Sequence, residues 1–140
     1  MAWVYYNTAK ENQADGNAVN LQAAGDVIKC DLVTSAYVPN IDTDEARTAT
    51  NEVATGPEYP AGGKTIVAQT VTVDTVNDRI EWDFDDVPFL QDATGFTNAR
   101  YARLYKNAGN LICYADLGGD KSIQGGDLTL QIDPDGALNW

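Results

Sequence analysis

The feature that most constrains the fold of this chain is a pair of apolar and aromatic runs between residues 97 and 116. A break that reads Asn-Ala-Gly-Asn, at residues 107–110, separates the two runs. Glycine and asparagine tolerate the backbone conformations of a tight turn, so the pattern predicts a β-hairpin. A two-stranded hairpin is not stable in water by itself. We therefore expect the rest of the chain to supply strands that pack against this hairpin.

Residues 26–34 are predicted to form one of these strands, because apolar and polar side chains alternate along them. Cys30 and the apolar residues two positions to either side would face the core. Lys29 and Asp31 would face water. The sequence thus predicts a strand that is buried on one face only.

Residues 64–74 are rich in β-branched side chains and are predicted to form one continuous strand. A turn at residues 77–78 leads into a returning strand at residues 79–84, which makes a second hairpin. Residues 127–132 also alternate, and the chain is expected to close with a short strand ending at Trp140. The side chains expected to be largely buried are Ile66 or Val67, Ile80, Trp82, Phe84, Leu104, Leu128 and Leu130.

About seven short strands separated by turn residues, with almost no helix, predict an all-β fold that is an antiparallel β-sandwich or barrel. The chain is expected to divide into an irregular N-terminal arm at residues 1–16 and a β-sandwich domain at residues 17–140. A stretch without apolar alternation predicts a long loop at residues 40–63 of that domain.

Two short helical pieces are predicted outside the strands. In the N-terminal arm, Thr8 and Glu11 have the spacing of a capping box, and Gly16 would end the helix. In the long loop, one helical turn is expected near residues 45–51.

The charge of the chain excludes several classes of partner. Its net charge is −12, with 9 basic residues and no histidine. Nucleic-acid binding and docking on an anionic membrane both need a cationic surface, so we expect neither. No apolar run is long enough to span a bilayer, and the N-terminus lacks the pattern of a secretory signal, so we expect synthesis and assembly in a cytoplasm.

The two cysteines are expected to be structural. Cys30 and Cys113 lie in predicted strands and should be buried, reduced thiols. Two distant cysteines without any histidine are too few ligands for a zinc site. We therefore expect neither a metal nor a cofactor.

Three acidic residues, Asp83, Asp85 and Asp86, have two interpretations. The simpler one is a solvated strand edge followed by a turn. The alternative is a carbohydrate-binding domain or a glycosidase that uses these carboxylates, with Trp82 and tyrosines as a sugar platform. Without histidine, a serine or cysteine triad of the common kind is excluded, and we predict no catalytic residue.

Aromatic residues outside the regular strands are candidates for an interface with other subunits, because aromatic side chains bury large areas and anchor interfaces. A long polar loop is ordered only where contacts offset its entropy. We therefore expect part of the loop at residues 40–63 to contact other subunits as well. The candidate interface residues are Trp3, Tyr5, Tyr6, Tyr37 and Tyr59.

Five blocks of sequence occur in a fixed order: VIKCDLVTSAYVP (27–39), EYPAGGKT (58–65), FDDVPF (84–89), ARYARLY (99–105) and LICYADLGGDKS (111–122). Together they resemble a family of small virion structural proteins encoded by tailed bacteriophages. The resemblance runs from about residue 16 to the C-terminus, and residues 1–15 depart from the pattern of the family.

The resemblance implies a β-rich accessory protein of the virus particle without catalytic residues. Its role would be that of a capsid cement or decoration protein, bound to the major capsid protein on the outer capsid surface after synthesis in the host cytoplasm. A small homo-oligomer, a dimer or a trimer, would be the functional unit. A tail or neck component is the alternative within the same class.

Overall fold

The computed structural model describes residues 1–107 and 109–140, which form ten strands and one helix, α1 (Asn7–Ala14). Every pair of neighbouring strands is antiparallel, so the predicted all-β fold class is confirmed. The strands are β1 (Trp3–Tyr5), β2 (Ile28–Val33), β3 (Lys64–Thr65), β4 (Thr70–Asp74), β5 (Arg79–Asp83), β6 (Val87–Phe89), β7 (Ala99–Lys106), β8 (Leu111–Lys121), β9 (Leu128–Leu130) and β10 (Leu138–Asn139).

The predicted central hairpin is confirmed and lies in the middle of a five-stranded sheet with the order β1–β8–β7–β2–β3. β8 continues to Lys121, beyond the predicted end of the hairpin at residue 116. Ala108, in the break between the two strands, lies outside the described residues. Next to it, the amide of Gly109 donates to the carbonyl oxygen of Lys106 at 2.7 Å.

The first residues of the chain belong to this sheet and do not form a separate arm. β1 is an edge strand, with Trp3 opposite Ala115 and Tyr5 opposite Cys113 of β8. Both aromatic side chains pack against the main hydrophobic core. The predicted division at residue 16 therefore does not separate two units, because β1 pairs with β8 of the large sheet.

The helix α1 lies where a helix was predicted and ends before Gly16, whose φ of 90° is the left-handed conformation that favours glycine. The predicted capping box is wrong, because no side chain caps the first turn. The Thr8 hydroxyl instead donates to the carbonyl oxygen of Asp44 at 2.6 Å and ties α1 to the long loop. No helix in the described part of the chain is long and apolar enough to cross a membrane.

The strand predicted at residues 64–74 is interrupted. Its first part, β3, pairs with β2 in the large sheet, whereas β4 pairs with β5 in a three-stranded sheet of order β10–β5–β4. Between them, Ala68 has a φ of 58°, which is uncommon for a residue other than glycine. The chain turns at this point from one sheet to the other. A run of β-branched residues favours strands on both sides of such a corner but does not mark the corner itself.

The main hydrophobic core lies between the large sheet on one side and the three-stranded and two-stranded (β6–β9) sheets on the other. Leu128 is half-buried at its margin. Ile80 is 36 % exposed, so the prediction that it is largely buried is wrong. Of the two alternatives Ile66 and Val67, Val67 is the exposed one, at 57 %. The prediction of burial is confirmed for Ile66, Trp82, Phe84, Leu104 and Leu130.

The long loop at residues 40–63 packs against its own sheet. The amide of Val53 donates to a carbonyl oxygen of β2 at 3.0 Å, and the Val53 side chain is buried. The helical turn predicted at residues 45–51 is wrong, because Ala46 forms an isolated β-bridge with Asn110. The loop is therefore part of the folded chain, and the prediction that it would instead reach out to other subunits is wrong for its buried residues.

Cys30 and Cys113 are buried in the large sheet as free thiols. Burial raises the pKa of both, so they remain protonated at neutral and mildly alkaline pH. We expect iodoacetamide to label neither cysteine in the folded protein and both cysteines after denaturation without reductant. Mass spectrometry of the intact protein counts the added groups. Denatured protein that takes up none, and is lighter by two hydrogen atoms, would contain a disulfide and contradict this prediction.

Candidate interaction surface

The five aromatic residues predicted to contact other subunits differ in exposure. Tyr6 and Tyr59 are 0 % and 1 % exposed within their own chain, so the prediction is wrong for these two. Trp3, Tyr5 and Tyr37 are half-buried. For these three residues, contact with another subunit stays a prediction.

Tyr6 is buried where the N-terminal segment meets the long loop. Its hydroxyl lies 2.6 Å from the hydroxyl of Tyr37, which in turn donates to a carboxylate oxygen of Asp44 at 2.6 Å. Burial is the main reason that the pKa of both phenols is raised, that of Tyr37 to about 12. Both groups are therefore neutral hydroxyls at neutral pH, and they bond the start of the chain to the loop.

Tyr59 fixes the other end of the long loop. Its ring lies in the core, with its centroid 5.7 Å from that of Phe89 and 5.6 Å from that of Phe96. Its hydroxyl donates to Glu52 at 2.9 Å and accepts a hydrogen bond from the amide of Leu32 at 2.9 Å. Tyr59 therefore acts as an internal anchor, which explains why it is not on the surface.

Asp31, which was predicted to face water, is fully buried at the centre of an ion-pair network. Arg103 donates to its carboxylate from two guanidinium nitrogens at 2.9 and 2.6 Å, and Arg47 donates to it at 2.9 Å. Arg47 also donates to Glu52 at 2.5 Å. Burial acts to lower the pKa of Arg103, but the hydrogen bonds and the charge of Asp31 outweigh burial and raise it.

The centre of this network, the pair of Asp31 and Arg103, is not accessible to a substrate. Arg103 is 1 % exposed, and its Nη2 also donates to the carbonyl oxygen of Thr48 at 3.0 Å. The partners of Asp31 come from β7 and from the long loop, so the network fastens the loop to the large sheet. Alternation predicted a half-buried β2, and the prediction for Asp31 failed because the loop covers the second face of that strand.

Two of the three acidic residues considered for carbohydrate chemistry accept hydrogen bonds from main-chain amides instead. Asp83 accepts a hydrogen bond from the next amide at 2.9 Å, and Asp86 accepts one from the segment after β9 at 2.8 Å. Asp85 is exposed. Trp82 is fully buried, and its indole Nε1 donates to the carbonyl oxygen of Leu21 at 3.1 Å. Trp82 therefore cannot serve as a sugar platform.

The three-stranded sheet carries two rows of apolar side chains on one face. Residues opposite each other on neighbouring strands point to the same face of a sheet. In the outer row, Val73 lies opposite Ile80, and the backbone of Ile80 exchanges two hydrogen bonds with Trp140 at 2.7 and 3.1 Å. The inner row lies over the core and consists of Val71, Trp82 and Leu138.

The outer row lies on the same face of the sheet as the inner row, but past the edge of the core. Val73 is 71 % exposed, Ile80 36 % and Trp140 41 %, and Val76 at the tip of the hairpin is 88 % exposed. We call these four side chains the apolar overhang. Val73, Ile80 and Trp140 line one groove. Single exposed apolar residues are common, but a contiguous group of them marks a binding surface.

Two grooves meet at Trp140. One, of about 380 Å³, lies between Trp140 and the tip of the β4–β5 hairpin. The other, of about 500 Å³, lies on the opposite side of Trp140 and is lined in part by Trp3, Tyr5 and Lys10. The ring centroids of Tyr5 and Trp140 are 5.7 Å apart. Two of the predicted interface residues therefore border the same surface as the apolar overhang.

Acidic residues surround the overhang. Arg79 lies among them, but it already forms ion pairs with Asp74 at 3.3 Å, with Glu81 at 2.6 Å and with Asp135 at 3.4 Å. Interfaces combine an apolar centre with a polar rim whose charge complements that of the partner. This surface therefore fits a partner with a basic rim. The acidic residues of the two grooves are Asp74, Asp78, Asp133 and Asp135.

Sequence reasoning missed the apolar overhang, although a signal for it was present. Ile80 alternates in phase with Trp82 and was assigned to the core for that reason. Val73 and Val76 are apolar residues close to the turn of the hairpin, where side chains lie farthest from a core. Apolar residues at the tip of a hairpin therefore indicate a surface rather than a core.

Comparisons of the chain with protein-family models, with curated proteins and with solved structures found no match. The candidate interaction surface is therefore defined by the geometry and chemistry of this chain alone.

Proposed function

We propose that this protein is a non-enzymatic structural protein of a tailed-bacteriophage virion, and that it stabilises the capsid shell as a cement or decoration protein. Its partner is the major capsid protein, which it binds on the outer surface of the particle after synthesis in the host cytoplasm. The observation that carries this proposal is the apolar overhang with its acidic rim. Such a surface is suited to binding a protein.

Cementing a shell requires no chemistry from the bound protein. A protein that binds only the assembled shell shifts the equilibrium towards assembly, by an amount set by its concentration and affinity. Burial of the four overhang side chains against the shell would supply part of that affinity. The acidic rim would steer the protein towards a basic patch of the shell.

The sequence blocks that resemble the phage family support the same function. The blocks at residues 27–39, 99–105 and 111–122 contain β2, all of β7 except Lys106, and β8, the middle of the large sheet. The four residues of the overhang lie outside all five blocks. Three of the blocks that carry the resemblance therefore lie in the large sheet, and none lies in the overhang. We infer that the large sheet is the common framework and that the overhang determines which capsid shell the protein binds.

The proposal is tested by co-sedimentation with capsids of the phage that encodes the protein. We expect Val73→Asp to weaken binding at least about tenfold, because it places a charge at the centre of the apolar surface. Val38→Asp is the matched control, since Val38 is 78 % exposed in the segment that precedes the long loop. This control should bind like the wild type.

Two results would contradict the proposal. One is full binding by a folded Val73→Asp variant, with folding checked by a melting curve. The other is failure of the wild-type protein to bind capsids in low salt, where attraction between opposite charges is strongest. Counting copies in purified particles separates the two locations: a cement protein is present in many copies, and a tail or neck component in few.

A further inference from the structure

The outer edge of β4 has no partner among the described residues. In β5, the backbone groups of Ile80 and Trp82 bond towards β10, to Trp140 and Ala137. Backbone groups of successive residues point to opposite sides of a strand. The intervening residues of β5 therefore bond to β4.

The same alternation fixes which groups of β4 face outwards. Thr72 lies opposite Glu81, one of the residues of β5 that bond to β4. Thr72 therefore directs its N–H and C=O inwards, whereas Val71 and Val73 direct theirs out of the sheet. Neither valine takes part in any of the other described backbone hydrogen bonds. The edge thus presents two free donors and two free acceptors.

This edge also lacks the usual protection against pairing with another strand. Natural edge strands are kept short, or carry lysine, proline or a bulge. The other strands at the ends of the large and three-stranded sheets are short, with 3 residues in β1 and 2 each in β3 and β10. β4 has 5 residues, Thr-Val-Thr-Val-Asp, and it pairs with β5 without a shift in register.

We propose that two copies of this chain pair through their β4 edges, antiparallel and about a twofold axis at Thr72, so that the two three-stranded sheets become one six-stranded sheet. In this register, Val71 of one copy lies opposite Val73 of the other. Both residues point their backbone groups outwards, so each of these pairs exchanges two hydrogen bonds. The free groups of the two edges therefore satisfy one another.

The side chains are compatible with the same register. On the apolar face, Val71 and Val73 of both copies form one cluster, which covers part of the exposed Val73 side chain. On the polar face, Thr72 meets Thr72, and Thr70 meets Asp74, which is already paired with Arg79 at 3.3 Å. No like charges lie directly opposite each other, although each chain carries a net charge of −12.

Both copies pair through the same strand, so the assembly is a closed dimer and no further copies can add to it in this way. This proposal goes beyond the capsid role and does not depend on it. A dimer built in this way places the two apolar overhangs side by side on one face of the joined sheet.

Cysteine cross-linking tests the register. In the proposed dimer, Thr72 of one copy lies opposite Thr72 of the other, and this pair exchanges no hydrogen bonds. The Cα atoms of such a pair are about 4.5 Å apart, within the range of a disulfide. We expect Thr72→Cys to form a covalent dimer in a mild thiol–disulfide buffer at least about tenfold faster than Thr70→Cys. Thr70 is exposed on the same face, but the two copies of it are about 13 Å apart along the strand. The buried Cys30 and Cys113 do not interfere.

Equal rates of cross-linking for these two variants would overturn the register. Analytical ultracentrifugation of the wild-type protein tests the dimer itself, and a monomer at every concentration measured would overturn the proposal.

Two lysine variants test whether the β4 strands of the two copies pair about Thr72, because each variant places a positive charge at a known position of that pairing. Thr72→Lys places two ammonium groups opposite each other and should weaken the dimer at least about tenfold. Thr70→Lys adds the same charge but places it opposite Asp74 of the other copy, so the dimer should be at least as tight as the wild type. Dimers weakened equally by both changes would contradict the twofold pairing at Thr72.

Salt separates this proposal from the capsid proposal. Two copies of an acidic chain repel each other, so added salt should strengthen the dimer, whereas it should weaken docking on a basic shell. Thr72→Lys leaves the apolar overhang unchanged. If this variant is monomeric and still binds capsids, both proposals stand. If the wild type dimerises as described but does not bind capsids, only the capsid proposal fails.

Discussion

Replacing Asp31 with alanine is expected to lower the free energy of unfolding by about 3–5 kcal/mol, because the change leaves two arginines near the core without their shared partner. Arg103 is 1 % exposed and donates two hydrogen bonds to Asp31, and Arg47 donates a third. Urea denaturation followed by tryptophan fluorescence measures the loss. The long loop should also become more sensitive to proteolysis, since Arg47 lies within it.

Asp116→Ala is the matched control for this prediction. Asp116 pairs with Arg100 at 2.9 Å, and their side chains are 46 % and 31 % exposed. Exposed ion pairs contribute little to stability because water and salt screen them, so this change should cost little. If the two aspartate variants lost the same stability, the buried network would not be what fastens the loop.

Replacing Trp82 with alanine should cost about 3–5 kcal/mol, the range expected for removal of a large side chain from a packed core. Trp82 is fully buried between the three-stranded sheet and the large sheet. The change also removes the indole donor at 3.1 Å from the carbonyl oxygen of Leu21, which is then left without that bond. Thermal and urea unfolding both report the loss.

Trp140→Ala is the control for Trp82→Ala, because it removes the same side chain from a position that is not buried. Trp140 is 41 % exposed and contributes mainly a tilted contact with Tyr5. The loss of stability should be clearly smaller than for Trp82→Ala, while capsid binding should weaken because Trp140 belongs to the apolar overhang. Equal losses of stability for the two tryptophan variants would show that the two rows of the sheet are not divided between core and surface.

The strands could be predicted from the sequence wherever local signals determine them. The two hairpins are marked by turn residues, and Trp82 and Phe84 alternate with Glu81 and Asp83 as in a half-buried strand. The helix ended at Gly16 for the predicted reason, the left-handed backbone that follows it. These features depend on residues that are neighbours in sequence.

The failures concern contacts between residues that are distant in sequence. Asp31 alternates with apolar residues, which predicts that it faces water, but Arg103 and the loop residue Arg47 bind it and bury it. The strand at residues 64–74 bends at Ala68 because its two halves join different sheets. Alternation reports which side of a strand is apolar, but it does not report how far the core extends or what covers the other side.

The exposure of Ile80 could not be predicted for the same reason. Ile80 and Trp82 share one face of β5, and only the position of the core separates them into exposed and buried residues. The aromatic residues predicted to form an interface were chosen by type, and Tyr6 and Tyr59 proved to be internal anchors. Trp3 and Tyr5 were placed beside the apolar overhang only by the pairing of β1 with β8.

The pairing of β1 with β8 has a consequence for how this protein is made. Trp3 and Tyr5 are translated more than a hundred residues before their partners Ala115 and Cys113. Sheets built from such distant pairings form slowly, because the chain between the strands must first be closed into a loop. The large sheet therefore cannot be completed before β8 has been translated, and Trp3 and Tyr5 remain without their final partners until then.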